Sequence, residues 1–348
     1  MTAATAYAAV HRYDGAVIER GQRERIVHCA VQPRDLAIVR DVWRYHFLTT
    51  DQLLELWWPG ASAQAGRRRL VKLFRAGYLD RFRPISRRGS YPWTYHLGAD
   101  GHRMLVRSGA IPRTDRFKAR AIYDYGHVLH DLQLNGWVLA WRRLLGEALI
   151  EWHGETEIQP PTGLRRDPRD PFLHVDFDSD QYAENLRDDR PRLLRPDAIV
   201  EVEDSDGGTP LIYFLEFDRT RRVDKNYDKF RRYDCFLNYW WRYTDFGGLD
   251  DAAWVIFICQ DRDHALQFIA AADRELTGDV SRPWSDDDDY VGRRRIVVCL
   301  ERSVYEGSPH AWLVPSRPRR EWGDDEGERR VTRTWLPGRR PEEKRAAA

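Results

Sequence analysis

Two apolar runs decide how this chain is read: Arg195-Pro196-Asp197-Ala198-Ile199-Val200 and, after a break, Leu211-Ile212-Tyr213-Phe214-Leu215-Glu216-Phe217-Asp218. They lie inside the segment Leu193 to Trp241 and are separated by Asp206-Gly207-Gly208 and Pro210. Short runs rich in β-branched and aromatic residues, joined by such turn residues, predict a β-hairpin. Side chains alternate along a strand, so Glu216 and Asp218 share a face, and Asp197 enters the neighbouring strand where its carboxylate can join them. Converging carboxylate oxygens suit a hard divalent cation. Asp197 and Glu216 are therefore the candidate metal ligands, with Asp218 a further candidate at the same site.

Downstream, Val223, Tyr227, Phe230, Leu237 and Trp241 fall at helical spacings and predict a helix packed on the sheet. Lys225 and Lys229 occupy one face of that helix at i, i+4, so either can reach back toward the carboxylates. The cluster Tyr239-Trp240-Trp241-Arg242-Tyr243 exceeds what one helix face buries, and core packing is the default reading of it. An interface, or a platform for stacking unpaired bases, is the alternative.

Pro196-Asp197 followed by Glu216-x-Asp218 resembles the motif of the PD-(D/E)XK nuclease superfamily. That resemblance implies an aspartate and a glutamate that bind Mg2+ or Mn2+ and a lysine that positions or activates water. Here Asp218 stands at the lysine position, and Lys225 or Lys229 is the candidate substitute. Phosphodiester cleavage at such a site needs a metal to polarise the phosphate and lower the pKa of a water. The competing reading is an inert sheet, with Glu216 and Asp218 paired to Arg219, Arg221 or Lys225.

Nearer the N-terminus, Leu36, Val39, Trp43 and Phe47 recur at helical spacing. Thr49-Thr50-Asp51 opens a second helix that Pro59-Gly60 ends, and a third runs from Ser62 to Gly77. Strand-like pieces at Tyr78 to Phe82 and Trp93 to Leu97 flank a tip with Arg87, Arg88 and Gly89. Three short helices and a basic hairpin follow the order of a winged helix-turn-helix. Its third helix would enter the major groove of duplex DNA, and its hairpin would lie on the backbone or in the minor groove. Residues 62–90 hold nine Lys+Arg against one acid, Asp80. The expected DNA contacts are Arg67, Arg68, Arg69, Lys72, Arg75, Arg87 and Arg88.

Together these two patterns resemble the replication-relaxation family, a winged helix joined to a degenerate nuclease-like domain, known from plasmids and other mobile elements. The resemblance covers roughly Arg34 to Cys259. It implies an accessory DNA-binding role, with double-stranded DNA and a relaxase or replication protein as partners. DNA binding needs no cofactor on this reading. An active metal-dependent endonuclease and a protein-interaction scaffold are the alternatives.

At 348 residues and 42% hydrophobic content the chain can build two cores. Its net charge of +1 conceals an asymmetry: residues 1–130 hold 22 Lys+Arg against 11 Asp+Glu, and the remainder 34 against 44. Cys29, Cys235, Cys259 and Cys299 are far apart and form no CxxC pair, which speaks against a zinc ribbon or a disulfide scaffold and for a reducing compartment. The opening residues lack a basic segment followed by an apolar one, and the best apolar run, Ala252 to Cys259, is too short to cross a bilayer. A soluble, cytoplasmic protein is expected.

The expected fold class is mixed α/β: an arm at 1–32, a winged helix at 33–110, a PD-(D/E)XK-like αβββαβ domain at 120–314 and a disordered tail at 315–348. A boundary is expected near Ile111 to Lys118, and a helix from Ile122 to Leu145 opens the second domain. Its His130 and Asp131 are weaker site candidates, since a histidine on a core-facing helix is more often structural. Ala148 to Trp152 reads as a strand after which Glu155 or Glu157 projects near the site, and residues 160–192 as an irregular insertion. Ala253 to Cys259 reads as a buried central strand, followed by a helix over His264 to Leu276 and a strand over Arg295 to Leu300. Asp286 to Asp289 reads as a loop, without EF-hand spacing.

Overall fold

A computed structural model describes residues 17–23, 28–86, 89–114, 116–117, 125–154, 196–205, 207–218, 229–230, 233, 236–237, 241, 245–276, 295–308, 310–313 and 333–336. It is a mixed α/β protein with two sheets, dividing into the compact units Met1–Leu139 and Ala140–Ala348.

In the first unit, helix α1 (Pro33–Arg44) begins with proline, whose missing N–H costs nothing at a helix start. Asp35 closes the cap by accepting from Gln32 N at 2.6 Å. Helix α2 (Thr50–Trp57) starts from a reciprocal capping box: Gln52 N donates to Thr49 Oγ1 at 3.2 Å, and Thr49 N donates to Gln52 Oε1 at 2.8 Å. Helix α3 (Ala63–Arg75) follows and buries Gly66, Leu70, Leu73 and Phe74. The chain then turns back through β3 (Leu79–Ser86), β4 (Gly89–Ser90) and β5 (Thr94–Leu97) into α4 (Ala99–Ser108). The sheet order is β1-β3-β5-β2, with β4 on β3, where β1 is Val17–Arg20 and β2 is Leu48–Thr49.

Strand β1 falls within the expected arm. It pairs with β3 from Val17↔Ile85 to Arg20↔Phe82 because an unpaired β3 edge would leave its backbone groups unmet. Just beyond it, Arg23 donates to the carbonyls of Phe74 at 2.7 Å and Leu79 at 2.9 Å. Four residues of alternating character were too short a pattern to read as a strand.

The long helix is α5 (Tyr125–Leu145). The division between the two compact units falls inside it, with its residues up to Leu139 in the first. Gln52 Nε2 donates to Leu132 O at 2.7 Å, and Asn135 Nδ2 donates to Tyr45 O at 3.0 Å and Phe47 O at 2.9 Å. Between those carbonyls His46 holds φ +60, a left-handed conformation that a non-glycine residue keeps only when its surroundings hold it there. Phe47, Phe82, Val128 and Leu132 close a small core around this contact.

The second unit is a seven-stranded sheet in the order β12-β11-β10-β9-β8-β7-β6. Strands β6 (Leu149–Gly154), β7 (Ala198–Val202) and β8 (Leu211–Phe217) are antiparallel neighbours. Strands β9 (Trp254–Cys259) and β10 (Ile296–Leu300) continue in parallel, so the chain must cross over before each. The first crossover carries the helical residues Lys229, Phe230, Tyr233, Phe236 and Leu237, and the second is α6 (Arg262–Leu276). Both bury aromatic residues on one face of the sheet, where Phe230, Tyr233, Phe236 and Phe268 pack with Phe214 and Phe257. The other face receives Trp141, edge-on to Tyr213 with ring centroids 5.2 Å apart. A short helix α7 (Glu301–Tyr305) leads to β11 (His310–Leu313), which pairs with β12 (Arg333–Trp335).

Thus three residues of the segment expected to be a disordered tail form an edge strand, recruited by the open edge of β11. The expected insertion at 160–192 and the acidic run Asp286 to Asp289 lie outside the described residues. Among the described residues no helix is long and apolar enough to cross a membrane.

Gly101 offers a test of the first unit's packing. An added Cβ would sit 2.1 Å from the Tyr78 carbonyl oxygen, so α4 can approach β3 only without a side chain there. At an open helical position glycine to alanine gains roughly 0.5–1 kcal/mol. Backbone cannot yield as a flexible side chain does, and overpacking of this kind costs about 1–3 kcal/mol. We expect Gly101→Ala to lower the thermal midpoint; a rise would show that α4 stands clear of β3.

Candidate functional site

The β7–β8 hairpin brings Asp197 beside Glu216. Asp197 N donates to Leu215 O at 2.8 Å, and its carboxylate Oδ2 accepts from Phe217 N at 2.7 Å, closing the end of the ladder. Glu216 points from β8 into the aromatic core and is 2% exposed. A carboxylate there survives only with partners for both oxygens. Tyr233 donates its hydroxyl to Oε1 at 2.6 Å, and Lys229 donates its ammonium to Oε2. Lys229 and Tyr233 are four apart, so one helix face delivers both.

Electrostatics follow from this enclosure. Burial pushes the Glu216 carboxyl up to about 7, outweighing the pull of the Lys229 ammonium, and the nearby Asp197 charge adds to the rise. For Lys229, burial works to lower the pKa, but the negative charges of Glu216, Asp197 and Asp218 prevail and hold it above the usual lysine value. Lys229 is accordingly a fixed cation and not a proton acceptor. Burial, helped by the charge of Glu216, likewise raises the Tyr233 phenol well above its ordinary value, so that hydroxyl remains a donor.

Of the expected site residues, the structure joins Asp197, Glu216 and Lys229, with Asp218 just past the end of β8 and within electrostatic reach of Lys229. Lys225 lies outside the described residues, as do Glu155, Glu157, Arg219 and Arg221. Tyr233 was missed; its i, i+4 relation to Lys229 was the available signal. Asp131 is held by His46 at 3.4 Å and His130 at 3.3 Å within the first unit. Burial works against its charge, but those two hydrogen bonds prevail and draw it down to about 2. Trp241 is buried in the core, and its aromatic neighbours 239, 240 and 243 are not described.

In the first unit, Arg68, Lys72 and Arg75 recur at i, i+4, i+7 along α3 and are all exposed, so they form one basic stripe opposite the buried Leu70 and Leu73. Arg67 is exposed to the side of that stripe, 3.9 Å from the equally exposed Asp51. Arg69 departs from expectation: its guanidinium is bound to Asp35, which is fully buried, and to Ala30 O at 2.8 Å. The hydrogen bond to Asp35 raises its pKa further. Arg81 and Arg83 lie over the Trp93 ring at 4.2 and 4.5 Å, and Arg83 also bonds Glu19 at 2.6 Å. Arg87 and Arg88 lie outside the described residues.

Arg69→Ala should therefore lose stability, by roughly 3–5 kcal/mol, because it strands a buried carboxylate. Arg68→Ala should stay within about 0.5 kcal/mol of the parent; equal denaturation midpoints for the two variants would contradict this division. Glu216 also makes a prediction in pH. Its folded pKa is raised, so the folded state binds the proton more tightly, and stability is lost as pH rises from about 4.5 to about 7. Urea titrations should show Glu216→Gln gaining on the parent across that window, by at most about 3 kcal/mol; a difference independent of pH would show that Glu216 does not titrate there.

Comparison with known proteins gives two matches. A stretch of 108 residues is 33% identical to the formamidopyrimidine-DNA glycosylase of Mycobacterium leprae (strain Br4923), covering 28% of this chain and 35% of that protein. The chain therefore spans about a third of that relative's length. No solved structure matches. The profile of the replication-relaxation family matches residues 39–249, more than half of the 348 residues, and the chain therefore belongs to the replication-relaxation family.

Proposed function

We propose that this protein is a DNA-binding accessory factor of plasmid or mobile-element replication and relaxation. The observation that carries the reading is the stripe of Arg68, Lys72 and Arg75 along the solvent face of α3. In a winged helix over residues 33–110, α3 is the helix that enters the major groove, and β3 and β5 are the wing. The three cations lie where phosphates flank such a helix, and their charge supplies a salt-dependent, largely sequence-independent affinity. Duplex DNA is the ligand, a relaxase or replication protein is the expected partner, and the cytoplasm is the expected compartment.

A PD-(D/E)XK-like domain over roughly 120–314 is the reading proposed for the nuclease-like part. Within the second unit, three antiparallel strands, a crossover helix and a parallel fourth strand follow that domain's order. Glu216 has both oxygens engaged by Lys229 and Tyr233, and Asp197 Oδ2 is engaged by the backbone. This supports a nuclease-like fold whose carboxylates now serve packing.

One observation favours the enzymatic alternative. Lys229, arriving from the crossover helix, supplies the cation that Asp218 cannot supply at the motif position. Asp197 and Glu216 are donors of the hard type that Mg2+ or Mn2+ takes, and such an ion would polarise a phosphodiester and acidify water. Lys229, fixed as a cation, would neutralise developing charge on phosphate, and Glu216 would bind metal best above its own pKa near 7.

Supercoiled plasmid incubated at low salt with and without Mn2+ separates the readings. A shifted, uncut plasmid is expected, with binding that falls steeply with salt and a salt slope reduced by about 1 in Arg68→Ala or Lys72→Ala. Metal-dependent nicking that disappears in Asp197→Ala would establish the nuclease instead. No shift on any nucleic acid would leave a protein-interaction scaffold.

A further inference from the structure

A second group of metal-ligating side chains lies on the β6–β7 pair. Glu151 faces Glu201 across the two strands, and His153 faces Ile199 one pleat further on. Side chains two apart share a face, so Glu151, His153 and Glu201 project together. His153 Nε2 lies 3.0 Å from Glu201 Oε1 and 3.7 Å from Glu151 Oε2. One donor atom from each residue lies within 4.8 Å of the others, and all three residues are half-buried.

The backbone is irregular at this point. The register steps from Leu149↔Val202 directly to Glu151↔Glu201, which makes Ile150 the extra residue of a β-bulge. Without the bulge, Ile150 would oppose Glu201 and Glu151 would turn to the other face. With it, Ile150 is left 51% exposed and two carboxylates stand directly opposite each other. Like charges in facing positions are destabilising, and the His153 imidazole lies within reach of both. The same step turns Trp152 to the opposite, buried face, so the bulge serves packing on one side and gathers three donors on the other.

We propose that Glu151, His153 and Glu201 bind a first-row divalent transition-metal ion, Zn2+ or Mn2+ in class. Metal–ligand bonds of about 2.0–2.2 Å place neighbouring donors roughly 3–3.5 Å apart, which these side chains reach by small rotations. An imidazole nitrogen selects against Mg2+ and Ca2+, which take oxygen ligands. Three protein donors leave coordination positions open to water or to a ligand. The site is separate from Asp197 and Glu216: Glu201 lies four residues along β7 from Asp197, roughly 13 Å at 3.3 Å per residue. The inference does not depend on the proposed DNA-binding or nuclease reading.

The full-length protein, treated with EDTA and dialysed, would be titrated with Co2+ as a spectroscopic stand-in and followed by visible absorption and by thermal midpoint. We expect a saturable ligand-field band at one equivalent and a rise in midpoint, both retained in Asp197→Asn. His153→Ala and the near-isosteric Glu201→Gln should each weaken Co2+ by at least about tenfold, since even outer-shell partners of a metal cost that much. Circular dichroism of each variant confirms folding, and Glu201→Gln carries the test if His153→Ala does not fold. The proposal is overturned if the parent shows no saturable band, if the band persists unchanged in folded variants, or if Asp197→Asn abolishes it.

Discussion

Burial of the Glu216 carboxyl in an aromatic core is the constraint on which the second unit depends. An apolar side chain at this strand position would leave the crossover helix free to slide along the sheet. A carboxyl does not, because each oxygen needs a donor at a definite place and an unmet one costs about 1–3 kcal/mol. Lys229 and Tyr233 meet that need from one helix face, which sets both the rotation and the height of the helix over β8. Phe230, Phe236 and Leu237 then fall into the core beside Phe214 and Phe257. Whatever chemistry the site performs, the same three groups also position the first crossover of the sheet.

In the first unit a comparable role falls to Asp35. It caps α1 and binds Arg69 from α3, tying together the two helices between which α2 lies in sequence. The described basic residues of 62–90 thereby divide into two groups. Arg69, Arg81 and Arg83 are taken up by carboxylates and by the Trp93 ring, and Arg67, Arg68, Lys72 and Arg75 remain at the surface. Charge counting alone overstates what such a domain offers to a nucleic-acid backbone, because part of it neutralises the protein's own acids.

Much of the fold was legible. Leu36, Val39 and Trp43, the Thr49 cap and the Pro59-Gly60 stop located α1 and α2, since caps and breakers act within a few residues. Alternation and apolar runs located β7, β8 and β9 to within a residue or two. Strands β1 and β12 were not legible: each is short, and each exists because a longer neighbour offers an open edge, a fact about pairing partners distant in sequence. The contacts that the first part of α5 makes within the first unit were hidden for a similar reason, since they rest on Asn135 and Gln52 reaching backbone carbonyls far along the chain.

By itself the sequence determined the mixed α/β class, the replication-relaxation resemblance, the hairpin with Asp197 and Glu216, and a face on which Lys225 and Lys229 compete. These are short-range matters of periodicity, capping and motif spacing. Only the tertiary structure decided that Lys229 closes on Glu216 with Tyr233 beside it, that Arg69 serves Asp35, and that a bulge at Ile150 sets Glu151 and His153 against Glu201. Each depends on strand register and on the angle at which a helix crosses a sheet, which arise from the packing of the whole core and leave no local mark in the chain.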